Sequence, residues 1–376
     1  MLFQIPDLGP KELEVLARIE ELKRILGYAV SATPRRWYGV LRRVTFARAI
    51  RGSNSIEGYV VSVDDAVAAA EGGEPLEAGA AAWEAVKAYQ AAMTYVVQLA
   101  DDPHFAYSTA LLRSLHFMML QYDLVKRPGR WRPGSIFVRD DERDAVVYEG
   151  PGAELVPELM EELIDFLNQS PPDVPGIVKA AMAHLDLVMV HPFSDGNGRM
   201  ARCLQTLVLA RTGVLAPPFS SIEEYLGHNT RAYYDVLAEV GGGNWSPSRD
   251  ARPWVRFCLT AHYRQAQTLL IRTREIQRLW DLLEVEVERR NLPERTLYAL
   301  ADAAMGLRVR NATYRPIAGV SDQVAGRDLK ALAEAGLLVA QGERRGRHYV
   351  AGEPVLRIRA ETRENRRIED PFEESG

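Results

Sequence analysis

In run after run along this chain, apolar residues recur at every third or fourth position, the spacing that gathers them on one face of an α-helix. The pattern holds over residues 11–26 and 37–51. Helical segments continue at 64–70, 80–99, 108–121, 154–168, 176–190, 198–212, 229–240 and 253–284, with turn-rich connectors such as 71–75 and 241–247 between them. A chain so patterned must bury helix against helix. One internal stretch departs from it. Residues 127–148 carry Pro128, Gly129, Pro133 and Gly134, then the β-favouring run Ser135-Ile136-Phe137-Val138 and, after a charged turn, Val146-Val147-Tyr148, which signals a β-hairpin. The end of the chain differs again. Residues 294–349 hold two short helical segments, one of them 321–334 with Leu329 and Leu332 on one face. A Gly/Arg turn (342–347) and a short Tyr349-Val350 strand follow, and helix, helix, hairpin is the order of a winged helix-turn-helix. The expected fold is mainly α, with one internal hairpin and a C-terminal winged helix-turn-helix domain. At 376 residues it divides into an N-terminal helical region (1–100), a core (101–275), the winged helix (285–352) and a charged tail (353–376) expected to fray from Glu361 onward.

Composition narrows the function. A hydrophobic share of 47% with 26% charged residues belongs to a globular chain, and a net charge of −5 argues against nonspecific coating of nucleic acid. Cys203 and Cys258 sit in apolar helical patterns, so two buried thiols are expected, as suits a reducing compartment. No apolar run reaches the roughly 18–20 residues that cross a bilayer, and the first residues lack a basic-then-apolar leader. The expectation is a cytoplasmic protein without a membrane partner.

Chemistry concentrates in His191-Pro192-Phe193-Ser194-Asp195-Gly196-Asn197-Gly198-Arg199-Met200-Ala201-Arg202. An apolar helix delivers His191, Pro192 stops it, and a new helix starts near Gly198. Gly196, Asn197 and Gly198 allow the backbone conformations that aim several N–H groups at one anion, and the helix start adds its dipole. Arg199 and Arg202, three residues apart, share a face and can hold two phosphates. Asp195 suits a Mg²⁺ bridging phosphate oxygens, and His191 can take a proton from an incoming hydroxyl.

These residues resemble the signature of the Fic (filamentation induced by cAMP) family, His-x-Phe-x-(Asp/Glu)-Gly-Asn-Gly-Arg-x-x-Arg, at every fixed position. The resemblance implies a Fic-type helical core that transfers AMP from ATP to a Ser, Thr or Tyr hydroxyl of a protein. It implies His191 as general base, Asp195 as metal ligand for Mg²⁺, and Phe193 as the anchor of the loop. The nucleotide-binding set is Gly196, Asn197, Gly198, Arg199, Met200, Ala201 and Arg202, with Arg202 on the γ-phosphate. The hairpin resembles the family's flap, which holds a target segment by strand addition; its candidates are Ile136, Phe137 and Val138. Tyr233 and Tyr234 stand where an aromatic pair lies near the adenine, with core packing as the competing reading.

A second motif, Ser53-Asn54-Ser55-Ile56-Glu57-Gly58, resembles the family's inhibitory pattern, in which Glu57 pairs with Arg202 and withholds it from the γ-phosphate. By itself it also reads as a helix end with Gly58 as C-cap. Self-modification is expected, the protein substrate is unassigned, and a homodimer is a candidate state. Two alternatives stay open: removal of AMP by the same site, and a DNA-binding regulator that uses Arg327 and Lys330 with Arg344, Arg345 and Arg347 of the wing. His184 reads as a satisfied core histidine, and His104, His116, His228 and His262 form no metal-ligand spacing.

Overall fold

A computed structural model describes residues 1–31, 37–140, 144–171, 173–211, 219, 221–343, 346–365 and 369–373. Over the described residues it is helical, with two small hairpins. Helices α1 (Pro10–Ser31), α2 (Tyr38–Ile56), α3 (Val63–Ala70), α4 (Ala80–Leu99) and α5 (Thr109–Leu120) lead to the first hairpin. This hairpin pairs β1 (Phe137–Asp140) with β2 (Ala145–Glu149), antiparallel and with a register shift at Val138/Arg139. Helices α6 (Val156–Gln169), α7 (Gly176–Val190) and α8 (Asn197–Arg211) follow.

Burial decides which helices are central. α6 is apolar on one stripe, so it covers the outside of α7. α7 and α8 are buried nearly all round and pack against each other. α4 and α5 flank α8, and the 38-residue helix Arg252–Arg289 backs α7 and carries α1 along its length. The expected segments are found within a few residues of their periodic runs. A short helix at Glu223–His228 and another at Glu353–Thr362 were not anticipated.

The C-terminal unit contains helices Leu297–Ala304, Asn311–Ala318 and Asp322–Glu334, then an antiparallel hairpin of β3 (Leu338–Gln341) and β4 (His348–Ala351). Two expectations are corrected around it. The boundary placed between residues 275 and 285 falls inside the continuous helix Arg252–Arg289. Among its described residues the charged tail is held in place: after helix Glu353–Thr362, Glu364 pairs with Arg274 and Arg278, and Asp370 pairs with Arg264. Its acids match a row of arginines on the long helix, which the linear sequence does not reveal.

The unit also leans on the N-terminal helices. Arg43 of α2 pairs with Asp302 and with Glu71 (2.9 Å). The Arg308 N–H donates to Asp64 (2.6 Å), and its guanidinium lies 2.5 Å from Glu77. Cys203 and Cys258 are buried free thiols, as expected. No helix among the described residues is long and apolar enough to cross a membrane.

Candidate active site

The site lies where α7 ends and α8 begins. His191 caps α7 in the left-handed region (φ 52°), which turns the chain sharply back on itself. Its Nδ1 lies 2.9 Å from the Val188 carbonyl, which can only accept. Nδ1 therefore carries the proton, and Nε2 of the neutral ring keeps its lone pair for an incoming one. Burial holds the imidazole below its ordinary pKa, so the neutral form dominates near pH 7.

The loop between the helices is tied at several points. Phe193 is fully buried and stacks on His116 with centroids 3.6 Å apart. The Asn197 side chain clamps the Phe193 backbone, accepting from its N–H and donating to its carbonyl, both at 2.9 Å. The side chain expected at a phosphate thus builds the loop instead. Gly196 has φ 75°, and a Cβ there would fall 2.9 Å from Leu120. Asp195 accepts from the Gly196 N–H at 2.6 Å and pairs with Lys126 at 2.6 Å. Burial raises the Asp195 pKa, but Lys126 more than offsets it, so the carboxyl sits below its usual range.

One ionised, partly exposed carboxylate suits a Mg²⁺ that brings phosphate oxygens with it, since that ion takes few protein ligands beside them. No cluster of three or more metal-ligating side chains occurs among the described residues.

Arg199 and Arg202 are both buried, at 1% exposure each. Arg199 lies over the Tyr59 ring (5.1 Å) and reaches the Tyr122 hydroxyl (3.4 Å). Arg202 donates Nε to the Ser53 hydroxyl (2.8 Å) and Nη2 to the Ser53 carbonyl (3.0 Å) and to Glu57 Oε1 (2.6 Å). The carboxylate meets the guanidinium through one nitrogen, with Ser53 engaging the rest of its edge. Glu57 also presses on the helix start, because a Cβ on Gly198 would lie 2.4 Å from Glu57 Oε1. An acidic group therefore stands against the first turn of α8, where dipole and N–H groups favour an anion.

The second motif sets Glu57 against Arg202 and also ends α2. Gly58 (φ 80°) donates to Ser55 and Tyr59 donates to Asn54, which is a Schellman closure of α2, and Glu57 is its cap residue.

Other expected residues are placed differently. Met200 and Ala201 are fully buried, and the Met200 N–H is taken by Gly196, so neither offers a side chain to a ligand. Tyr233 is core: 1% exposed, its hydroxyl bonded to His184, which in turn holds Gln205. Tyr234 is about half exposed, and its hydroxyl reaches the Ile56 carbonyl (3.3 Å). In the flap, Phe137 is half exposed, Val138 packs against the core, and Ile136 precedes the strand and accepts from Gly150. β2 is tethered on its far side through Glu149 to Gly243 and Trp245, whereas β1 pairs only with β2 among the described residues.

Sequence reasoning missed three residues that build the site. Lys126 salts Asp195 from 69 positions away. His116 accepts from the Gly129 N–H and so donates through Nε2 to the Asp195 carbonyl. Arg132 is buried and gathers the carbonyls of His191, Gly134 and Pro151 (2.9, 2.6 and 2.5 Å), fastening the flap's base to the loop. None of these three is near the motif in sequence, so no spacing could have marked them. The winged-helix candidates Arg327, Lys330 and Arg347 are exposed, while Arg344 and Arg345 lie outside the described residues.

A buried pair of helices thus presents an imidazole, a helix start and two arginines in one place. Residues 106–209 match the Fic/DOC family. The chain is similar to the protein adenylyltransferase fic-1 of Caenorhabditis elegans, 40% identical over 28% of this chain and 18% of that protein. It is also similar to the protein adenylyltransferase Fic of Aedes aegypti, 36% identical over 42% of this chain and 28% of that protein. The chain thus spans well under a third of either relative's length. A solved Fic family protein from Desulfovibrio desulfuricans G20 shares the fold over 93% of this chain and 99% of its own, with TM-score 0.60 and 22% identity.

Proposed function

We propose that this chain is a protein adenylyltransferase that moves AMP from ATP to a protein hydroxyl and is restrained by Glu57. The observation that carries the reading is the His191 ring. Its Nδ1–H is committed to Val188, which leaves Nε2 as proton acceptor beside the start of α8.

In the proposed reaction the target hydroxyl oxygen attacks the α-phosphorus of ATP as His191 Nε2 takes its proton. The bond from the α-phosphorus to the bridging oxygen breaks, and pyrophosphate leaves. The start of α8, Arg199 and Arg202 bind the phosphates in place. Asp195 is the residue that would hold Mg²⁺, which supplies neutralisation of phosphate charge. Lys126 must then yield its place on that carboxylate. The unpaired edge of β1, with Phe137 half exposed, supports docking of an extended target segment.

In the resting state Glu57 occupies Arg202 and the helix start, so a triphosphate meets a carboxylate where its own charge should go. The test is incubation of the wild type, Glu57→Gly and His191→Ala with α-labelled ATP and Mg²⁺, followed by mass spectrometry of the chain itself. Addition of one AMP by Glu57→Gly and none by His191→Ala is expected. Label on the His191→Ala chain equal to that on the Glu57→Gly chain would overturn the assignment of the base.

A further inference from the structure

Behind α2, away from the candidate active site, the fold encloses a cavity of about 370 Å³. Arg48, Arg51, Gly52 and Ser55 of α2 form one wall, and Glu224 and His228 of the helix Glu223–His228 stand across from them with Arg272 of the long helix. An α-helix turns about 100° per residue. Ser53 and Glu57, one turn apart, therefore share the face that holds Arg202, while Arg48, Gly52 and Ser55 fall roughly on the opposite face. α2 is a partition between two chambers.

The chamber is built around a glycine crossing. A Cβ on Gly52 would fall 2.4 Å from the Glu223 carbonyl oxygen, and one on Gly227 would fall 2.6 Å from Gly52 Cα. The two backbones touch, and the longer side chains beside the crossing line the space. Their charges do not cancel. Glu224 is the acid among the described lining residues, and Arg272 holds it in a fork at 2.6 and 2.8 Å. Arg48 lies at 3.7 Å from the same carboxylate, and Arg51 donates Nε to the Val61 carbonyl. Among the described residues that line the space, three guanidinium groups thus face one carboxylate. Arg272 is 9% exposed, and its buried Nε has no hydrogen-bond partner among the described residues. Excess positive charge in a partly closed space is costly unless an anion enters it.

We propose that this cavity is a second anion site, distinct from the start of α8, that takes a phosphate-bearing small molecule. A phosphate monoester carries about −1.5 to −2 charges at pH 7, which matches the excess of two over Glu224. Guanidinium forks fit its oxygens better than point charges would. The volume exceeds that of a bare phosphate and leaves room for the group it esterifies. This binding claim does not depend on the proposed transfer reaction.

The test is calorimetric titration of the full chain with phenyl phosphate, beside inorganic phosphate and benzoate. Wild type, Arg51→Gln, Arg48→Gln and Arg199→Ala are compared, with melting curves to show that each is folded. One phenyl phosphate per chain is expected, unchanged in Arg199→Ala and weakened at least about tenfold in Arg51→Gln or Arg48→Gln, whichever is folded. Benzoate should bind more weakly than phenyl phosphate. Loss in Arg199→Ala with retention in the cavity variants would place the anion at the motif and overturn the proposal. Equal binding by all four chains, or no binding by the wild type, would also overturn it.

Discussion

Replacing Glu57 by glycine removes the carboxylate that stands at the start of α8, and its consequences can be worked in both stability and function. The bond from Arg202 to Glu57 is short (2.6 Å), with the Arg202 side chain fully buried and 24% of the Glu57 side chain exposed. A hydrogen bond between charged groups contributes about 1.5–3 kcal/mol. With Glu57 partly wet and Ser53 still bonded to Arg202, a loss of about 2 kcal/mol is expected in the nucleotide-free variant. The same contact must be broken before a triphosphate can claim Arg202. Wild-type ATP affinity should therefore be lower than the variant's by up to about 30-fold, the equivalent of 2 kcal/mol. Misplacement of the reacting phosphorus by about 1 Å adds on the order of 100-fold in rate. The assay pairs thermal melting with and without ATP against α-label incorporation over a range of protein concentrations. Glu57→Gly should melt lower than the wild type without ATP, gain more from ATP, and label itself at least about 100-fold faster. Adding Arg202→Ala should remove most of the gain. Equal ATP shifts and equal labelling in wild type and Glu57→Gly would refute the latch and leave the pair as a helix-end contact.

Further outcomes are expected. Gly52→Ala should cost about 1–3 kcal/mol by overpacking against the Glu223 carbonyl, seen in urea midpoints. It should also raise AMP incorporation by displacing α2; labelling at or below wild type would count against that coupling. Because burial lowers the His191 pKa, the acid limb of the transfer rate in the Glu57→Gly chain should lie below the ordinary histidine value of about 6.5. A limb above it would mean the ring is not desolvated in use. Burial also holds His116 down at about 4. The unfolded chain binds the proton first as pH falls, so His116 makes stability decline below about pH 6.5 by up to about 1.4 kcal/mol per unit, and His116→Gln should flatten that slope in denaturant titrations. Lys126→Ala should lower the Mg²⁺ concentration for half-maximal transfer, since the ammonium no longer competes for Asp195; an unchanged requirement would separate the lysine from the metal.

The local parts of this protein were legible in its residues. Helical periodicity placed α4 and α7 to the residue, because a buried helix must repeat its apolar face and a Pro or Gly must end it. The motif was legible as one unit because the loop after His191 and the helix start behind it are contiguous in the chain. The capping role of Gly58 was legible for the same reason, since it is settled within one turn. What the linear pattern could not carry was the assembly of distant groups. Lys126 on Asp195, His116 beneath Phe193 and Arg132 across the flap are single residues whose partners lie far along the chain, and any exposed lysine or core histidine looks the same in sequence. Tyr233 and Tyr234 are adjacent letters, yet helix geometry turns one into the core and the other toward α2. The charged tail read as frayed, whereas its described acids Glu364 and Asp370 lie against arginines of the long helix. The contact of Glu57 with Arg202 joins the two kinds of information. The motif named the pair, but only the packing of α2 against α8, with Ser53 buried beside them, removes the water that would otherwise weaken it.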